Sequence, residues 1–200
     1  MSPQISRPPD RITDPVSSSG LVNLPNALTM LRLLLVVPFA VALMWQEGTN
    51  ATARVIATVI FVLASITDFV DGYLARKRNL VTTFGKIADP IADKLLTGVA
   101  LIGLSALGQL AWWVTLVILG REVLVTVLRF WVINKGVIAA SRGGKLKTVV
   151  QIVAIVLYLL PLTGWAATVA VLVMGVALVL TVVTGLDYAV RAIRLHRRPS

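Results

Sequence analysis

The amino-acid sequence predicts an all-α integral membrane protein with six transmembrane helices and both termini in the cytoplasm. Composition is the first observation: 57% of the 200 residues are hydrophobic before the 14 glycines are counted, and only 14% are charged. An average soluble domain is roughly 45–50% apolar with glycine included and about 25% charged. Mean hydropathy is +0.87, more apolar side chain than a soluble globule of this size can hide. The second observation is six long apolar runs without strand alternation, which excludes a barrel. The third is that cations gather in alternate connections.

Taken in order, residues 1–22 carry Pro3, Pro8, Pro9, Pro15 and the run Ser17-Ser18-Ser19-Gly20, the composition of a flexible tail. This segment has no apolar core, so it does not read as a secretory signal peptide. A membrane domain follows over residues 23–190. Its spans are predicted at 28–45, 55–70, 87–107, 112–133, 149–162 and 165–186, each approaching the roughly 20 residues that cross about 30 Å of hydrocarbon. The fifth is short and stops near Pro161. Residues 191–200 form a basic tail holding Arg191, Arg194, Arg197, Arg198 and the sole histidine, His196, to which no catalytic role is given.

Orientation follows from the cations. Arg7 and Arg11 precede the first span; Arg76, Lys77, Arg78 and Lys86 lie between the second and third. Lys135, Arg142, Lys145 and Lys147 lie between the fourth and fifth. The intervening connections hold only Arg54. Trp45, Trp112, Trp113 and Trp165 fall at the opposite ends, where an aromatic belt belongs. In a soluble protein a net charge of +10 would suggest nucleic acid. Here the cations alternate with apolar runs and favour anionic lipid headgroups and phosphorylated substrates, with no nucleic-acid partner. The absence of cysteine excludes a disulfide scaffold.

Four of the nine acids lie within 26 positions: Asp68, Asp71, Asp89 and Asp93. The pairs are three and four apart, so each shares a helical face. Asp68 and Asp71 are expected at the cytoplasmic end of the second span, and Asp89 and Asp93 at the start of the third. A connection of about 15 residues, counted between the spans on the scale of such loops, would bring the pairs side by side. Four carboxylates at a membrane boundary repel one another and are costly to desolvate. A divalent cation resolves both problems, and oxygen ligands favour Mg²⁺, with Mn²⁺ or Ca²⁺ as substitutes. A cation so held usually clamps substrate phosphates. The plainer reading is helix capping, with Asp89 before Pro90 as an N-cap. Gly72 and Ala75 continue the face of Asp68 and Asp71 and leave room for a flat ligand; small residues also serve close helix packing.

The pattern Asp68-x2-Asp71-Gly72-x2-Ala75-Arg76-x8-Gly85-x3-Asp89-x3-Asp93 resembles, at every fixed position, the signature of the CDP-alcohol phosphotransferases. That resemblance implies a six-helix membrane enzyme, usually homodimeric, with its active-site cavity at the cytoplasmic side. It implies attack of an acceptor hydroxyl on the lipid-linked phosphate of a CDP-activated lipid, expelling CMP. Carried over, Asp68, Asp71, Asp89 and Asp93 form the metal site and Asp93 also serves as general base. Gly72, Ala75, Arg76 and Gly85 are placed at the nucleotide.

Further stretches resemble the branch of the family that makes phosphatidylglycerophosphate: 23–29 with Arg32, 89–94, Arg121-Glu122 with Arg129, and 144–148 with Gln151. Ala88 departs from the larger apolar residue common before the third aspartate, which bears on packing. The branch implies CDP-diacylglycerol and sn-glycerol 3-phosphate as substrates. A phosphorylated acceptor suits extra cations, and Arg121, Arg129, Lys145 and Lys147 are the candidates for its phosphate. Their plainer readings are a Glu122–Arg129 pair, since these are seven apart, and membrane-side anchoring by the lysines. Lys94 would balance the acids. Synthesis of phosphatidylinositol phosphate or cardiolipin is the alternative within the family. A cation transporter is the alternative outside it, though no acids match near the outer face and no inverted repeat is evident.

Overall fold

A computed structural model describes residues 24–78, 83–132 and 142–196; within them the side chains of 24–28, 68–78, 83–93 and 142 lie outside the description. Among the described residues there are six long helices and no strand. They are α1 (Leu24–Met44), α2 (Ala51–Arg78), α3 (Thr83–Ala106), α4 (Trp112–Val132), α5 (Arg142–Leu159) and α6 (Trp165–His196).

Local chemistry explains their ends. After α1 the chain turns through Gln46, Glu47 and Gly48, all left-handed with φ of 50°, 55° and 71°. Gly48 is required twice over, because a Cβ there would also sit 2.6 Å from Leu107 Cδ1. Asn50 caps α2, its Oδ1 accepting from Ala53 N at 2.9 Å. The end of α3 is a Schellman motif: Gly108, at φ 69°, donates to Ser105 O, and Gln109 N donates to Leu104 O at 2.9 Å. Arg54 caps α5 from the start of α2. Its Nε donates to Leu159 O at 3.0 Å and its Nη2 donates to Tyr158 O. The lone cation between the alternate spans thus has a structural partner at a helix C-terminus.

Helices α1, α2 and α3 group around α1, and α4, α5 and α6 group around α6; a thinner seam joins the groups along α2–α5, α3–α4 and α3–α5. The interior is built from small residues and interlocking aliphatics. Ala57, Ala64, Ala100, Ala154 and Ala177 are fully buried, and Phe39 meets Phe61 with ring centroids 5.7 Å apart. Leu43 lies so close to Gly103 that a Cβ there would approach it to 2.6 Å. Close approach of backbones is the usual basis of packing where the solvent is as apolar as the side chains. Ser105 Oγ and Thr115 Oγ1, both buried, share a hydrogen bond of 2.7 Å across α3 and α4.

The outer surface is apolar on every helix, as Leu34, Leu63, Ile102, Leu116, Leu146 and Leu172 illustrate. Such a surface far exceeds the patches a water-soluble monomer tolerates and marks a membrane protein. By length and composition, Thr29–Gly48 and Trp165–His196 are each sufficient to cross a bilayer. At 1.5 Å per residue α6 runs about 48 Å, longer than the hydrocarbon layer.

Several boundaries differ from the sequence expectation. α2 does not stop near residue 70 but continues to Arg78, and α3 begins at Thr83. The connection between them therefore shrinks from about 15 residues to positions 79–82, and Asp89 lies in α3 six residues after its first. That placement overturns the N-cap reading of Asp89. α5 begins at Arg142, and α6 extends through His196, so residues 191–196 of the basic segment are helical. The tail 1–22 lies outside the described residues.

Candidate functional site

On α2 the buried positions Ala57, Phe61, Ala64 and Ser65 recur every three or four residues. The same series reaches 68, 71, 72 and 75. On α3 the buried Leu104, Ala100 and Leu96, counted back in the same steps, reach 93, 89 and 85. All four aspartate positions, with Gly72, Ala75 and Gly85, therefore occupy the register stripe that each helix buries further along. Arg76 is also in α2. The side chains of these eight residues lie outside the described residues. As a donor set, four carboxylates match a hard divalent cation without nitrogen or sulfur ligands.

One residue beyond Asp93 along α3, Lys94 belongs to a cluster of charges. Glu122 of α4 is surrounded by three cations: Lys147 Nζ and Arg121 Nη1 donate to Oε1, the latter at 3.0 Å, and Lys94 Nζ lies 4.0 Å from Oε2. Lys94 also donates to Thr126 Oγ1, and to Glu122 O at 3.3 Å. Arg121 Nη2 donates to Thr184 Oγ1 of α6 at 3.0 Å. Its aliphatic stem packs so tightly on Gly185 that a Cβ there would stand 2.8 Å from Arg121 Cγ. The cluster thus joins α3, α4, α5 and α6. Side-chain exposure falls from 35% at Lys94 through 22% at Glu122 and 15% at Arg121 to 5% at Lys147. Among the described residues three cations meet at one carboxylate in a half-enclosed site, a setting for a phosphate.

Of the four acceptor-phosphate candidates, the structure brings Arg121 and Lys147 together. Arg129 and Lys145 are exposed, and among the described residues Glu122 pairs with Lys94, Arg121 and Lys147 rather than with Arg129. Lys94, read only as balancing the acids, belongs to this group as well. Thr126 and Thr184 escaped the sequence reading, although Thr126 is one helical turn from Glu122 and Thr184 interrupts an apolar helix. Arg32 is 1% exposed on the inward face of α1, and Gln151, one turn beyond Lys147, is also buried. His196 stacks on Trp131 with centroids 4.0 Å apart. Trp45, Trp112, Trp113 and Trp165 stand at or beside helix ends and are exposed.

An apolar-surfaced helical bundle with this acidic signature and an internal cation cluster describes a membrane enzyme of phosphoryl-group transfer. The chain belongs to the CDP-alcohol phosphatidyltransferase family, whose profile matches residues 22–183. It is 57% identical over 174 residues to a probable phosphatidylglycerophosphate synthase of Mycobacterium tuberculosis, covering 87% of this chain and 83% of that one. It is also similar to proteins named CDP-diacylglycerol–glycerol-3-phosphate 3-phosphatidyltransferase. The Rickettsia typhi protein is 43% identical over 83% of this chain and 94% of its own. That of Bacillus subtilis is 40% identical over 84% and 94%.

Proposed function

We propose that the protein transfers the phosphatidyl group of CDP-diacylglycerol to sn-glycerol 3-phosphate, giving phosphatidylglycerophosphate and CMP. The observation that carries this is the similarity to enzymes named for that reaction, at 40–57% identity over at least 83% of this chain and of each relative.

The acceptor hydroxyl attacks the lipid-linked phosphorus, a new P–O bond forms, and the bond to the departing CMP breaks. Asp93 takes the hydroxyl proton. Asp68, Asp71, Asp89 and Asp93 would hold a divalent metal, Mg²⁺ with Mn²⁺ as substitute, which when bound neutralises the diphosphate and the leaving CMP. Gly72, Ala75, Arg76 and Gly85 border the nucleotide. Arg121 and Lys147 bind the acceptor's phosphate, joined by Lys94, and the exposed Arg129 and Lys145 steer the anionic acceptor inward.

The same reading places the chain in the cell membrane with six crossings, both termini and the active site in the cytoplasm, and the protein as a homodimer. Cation placement and the tryptophan-bearing ends support that orientation. The basic end of α6 meets anionic lipid headgroups.

The test is purified protein in lipid nanodiscs with CDP-diacylglycerol, Mg²⁺ and glycerol 3-phosphate. Release of CMP with formation of a phosphorylated anionic lipid is expected, and chelation of the metal should stop it. Turnover with inositol 1-phosphate or serine but none with glycerol 3-phosphate would reject the acceptor. Ion flux in vesicles without CMP release would reject the reaction altogether.

A further inference from the structure

We propose that Glu122 is the positioning residue of the acceptor's phosphate subsite: it holds Lys94, Arg121 and Lys147 in place before an acceptor arrives. The inference rests on the reading above that the acceptor is a phosphorylated alcohol.

A carboxylate serving only to tie two helices needs one cation. Glu122 has three, from α3, α4 and α5, all within 4.0 Å. Cations brought so close repel and would relax apart unless an opposite charge stood among them. Lys94 is fixed a second time by Thr126 Oγ1 and Glu122 O, and Arg121 by Thr184 Oγ1 and the tight contact with Gly185. Lys147 is almost wholly enclosed, so its ammonium has little room to seek water. The result is a set of donors ordered in advance, which lowers the cost of immobilising long side chains when a ligand binds.

Ammonium and guanidinium donors held together suit the dianion of a phosphate monoester, whereas a neutral alcohol would make poor use of them. The carboxylate offers no donor of its own to the ligand. Glu122 therefore acts through the cations and touches no reacting atom.

Glu122→Gln keeps the shape and removes the charge. It should raise the KM for glycerol 3-phosphate about 10- to 100-fold, the factor attached to losing a charge-assisted hydrogen bond. The KM for CDP-diacylglycerol and the kcat at saturating acceptor should stay within about threefold, since neither depends on one such bond. Inorganic phosphate, competing with the acceptor, should weaken in parallel, and Glu122→Asp should restore part of the loss. An unmoved acceptor KM, or equal losses for both substrates, would overturn the proposal. If Glu122→Gln does not fold, Thr126→Val and Thr184→Val decide, each removing one second tether. Each should raise the acceptor KM about 3- to 10-fold, the smaller factor of a single neutral partner lost, and no change in either overturns the proposal. Wild-type protein that turns over no phosphorylated acceptor would sink the reaction and this inference together. An active wild type with an indifferent Glu122→Gln would sink the inference alone.

Discussion

Gly185→Ala sets helix propensity against site geometry. Gly185 lies inside α6, so alanine should favour the helix by about 1 kcal/mol. The added Cβ, however, would stand 2.8 Å from Arg121 Cγ, against 3.4 Å where ordinary contact begins, so the arginine stem must retreat by about 0.6 Å. Arg121 holds Glu122 and Thr184 through bonds of 3.0 Å each. A guanidinium carried back from α6 by the same distance would stand about 3.6 Å from Thr184 Oγ1, past hydrogen-bond reach. Losing a bond to a charged group costs about 1.5–3 kcal/mol, or about 10- to 100-fold in kcat/KM for the acceptor. The assay is CMP release against glycerol 3-phosphate concentration, paired with thermal unfolding in detergent. A somewhat lower unfolding midpoint is expected together with the weakened acceptor, because the lost bond outweighs the gain in helix propensity. A kcat/KM within twofold of wild type would refute the link between α6 and the acceptor subsite.

Three other perturbations probe separate parts of the molecule. Asp93→Asn should lower turnover by about 10²- to 10⁴-fold, the range for a lost general base, while leaving the unfolding midpoint unchanged; turnover at the wild-type rate removes Asp93 from that role. Gly48→Ala and Gly108→Ala form a matched pair, both left-handed near φ 70°, but only Gly48 faces a neighbour. Each should lose about 1–2 kcal/mol from its backbone, and Gly48→Ala should unfold at a clearly lower temperature because Leu107 must also move. Arg54→Met removes the guanidinium from the carbonyls of Tyr158 and Leu159. It should destabilise the protein by about 1.5–3 kcal/mol without altering acceptor KM, measured by unfolding and by CMP release.

The number and order of helices were legible because the outward side chains are apolar along each helix, and Leu34, Leu63, Leu116 and Leu172 leave a plain record of that. Helix ends were less legible. Hydropathy finds the portion of a helix immersed in hydrocarbon, whereas hydrogen bonding continues beyond it. α2 accordingly carries on through Asp68, Asp71 and Arg76 to Arg78, and α6 through Arg191 to His196. Asp89-Pro90 imitates a helix start because the same residue types begin many helices, yet α3 is already under way at Thr83. The acidic positions could be picked out by spacing and by resemblance. The grouping of Lys94, Glu122 and Lys147 could not, since 28 positions separate Lys94 from Glu122 and 25 more separate Glu122 from Lys147. Only the folded arrangement of α3, α4 and α5 makes them neighbours. Thr184 was hidden for another reason: a hydroxyl on a membrane helix commonly satisfies its own backbone, as Thr184 does toward Leu180 O at 2.6 Å.

The thin seam between the α1–α3 and α4–α6 groups has a consequence for motion. Ser105 with Thr115, Arg54 with the end of α5, and Lys94 with Thr126 and Glu122 cross it as discrete polar stitches. In water, parting two halves of a protein wets their inner faces, and that penalty locks them shut. In a bilayer, acyl chains can fill the gap and the hydrophobic penalty falls away, leaving close packing and polar contacts to resist parting. Where packing is thin, such stitches weigh more, so unpicking any one of them should make the bundle breathe more without melting its helices.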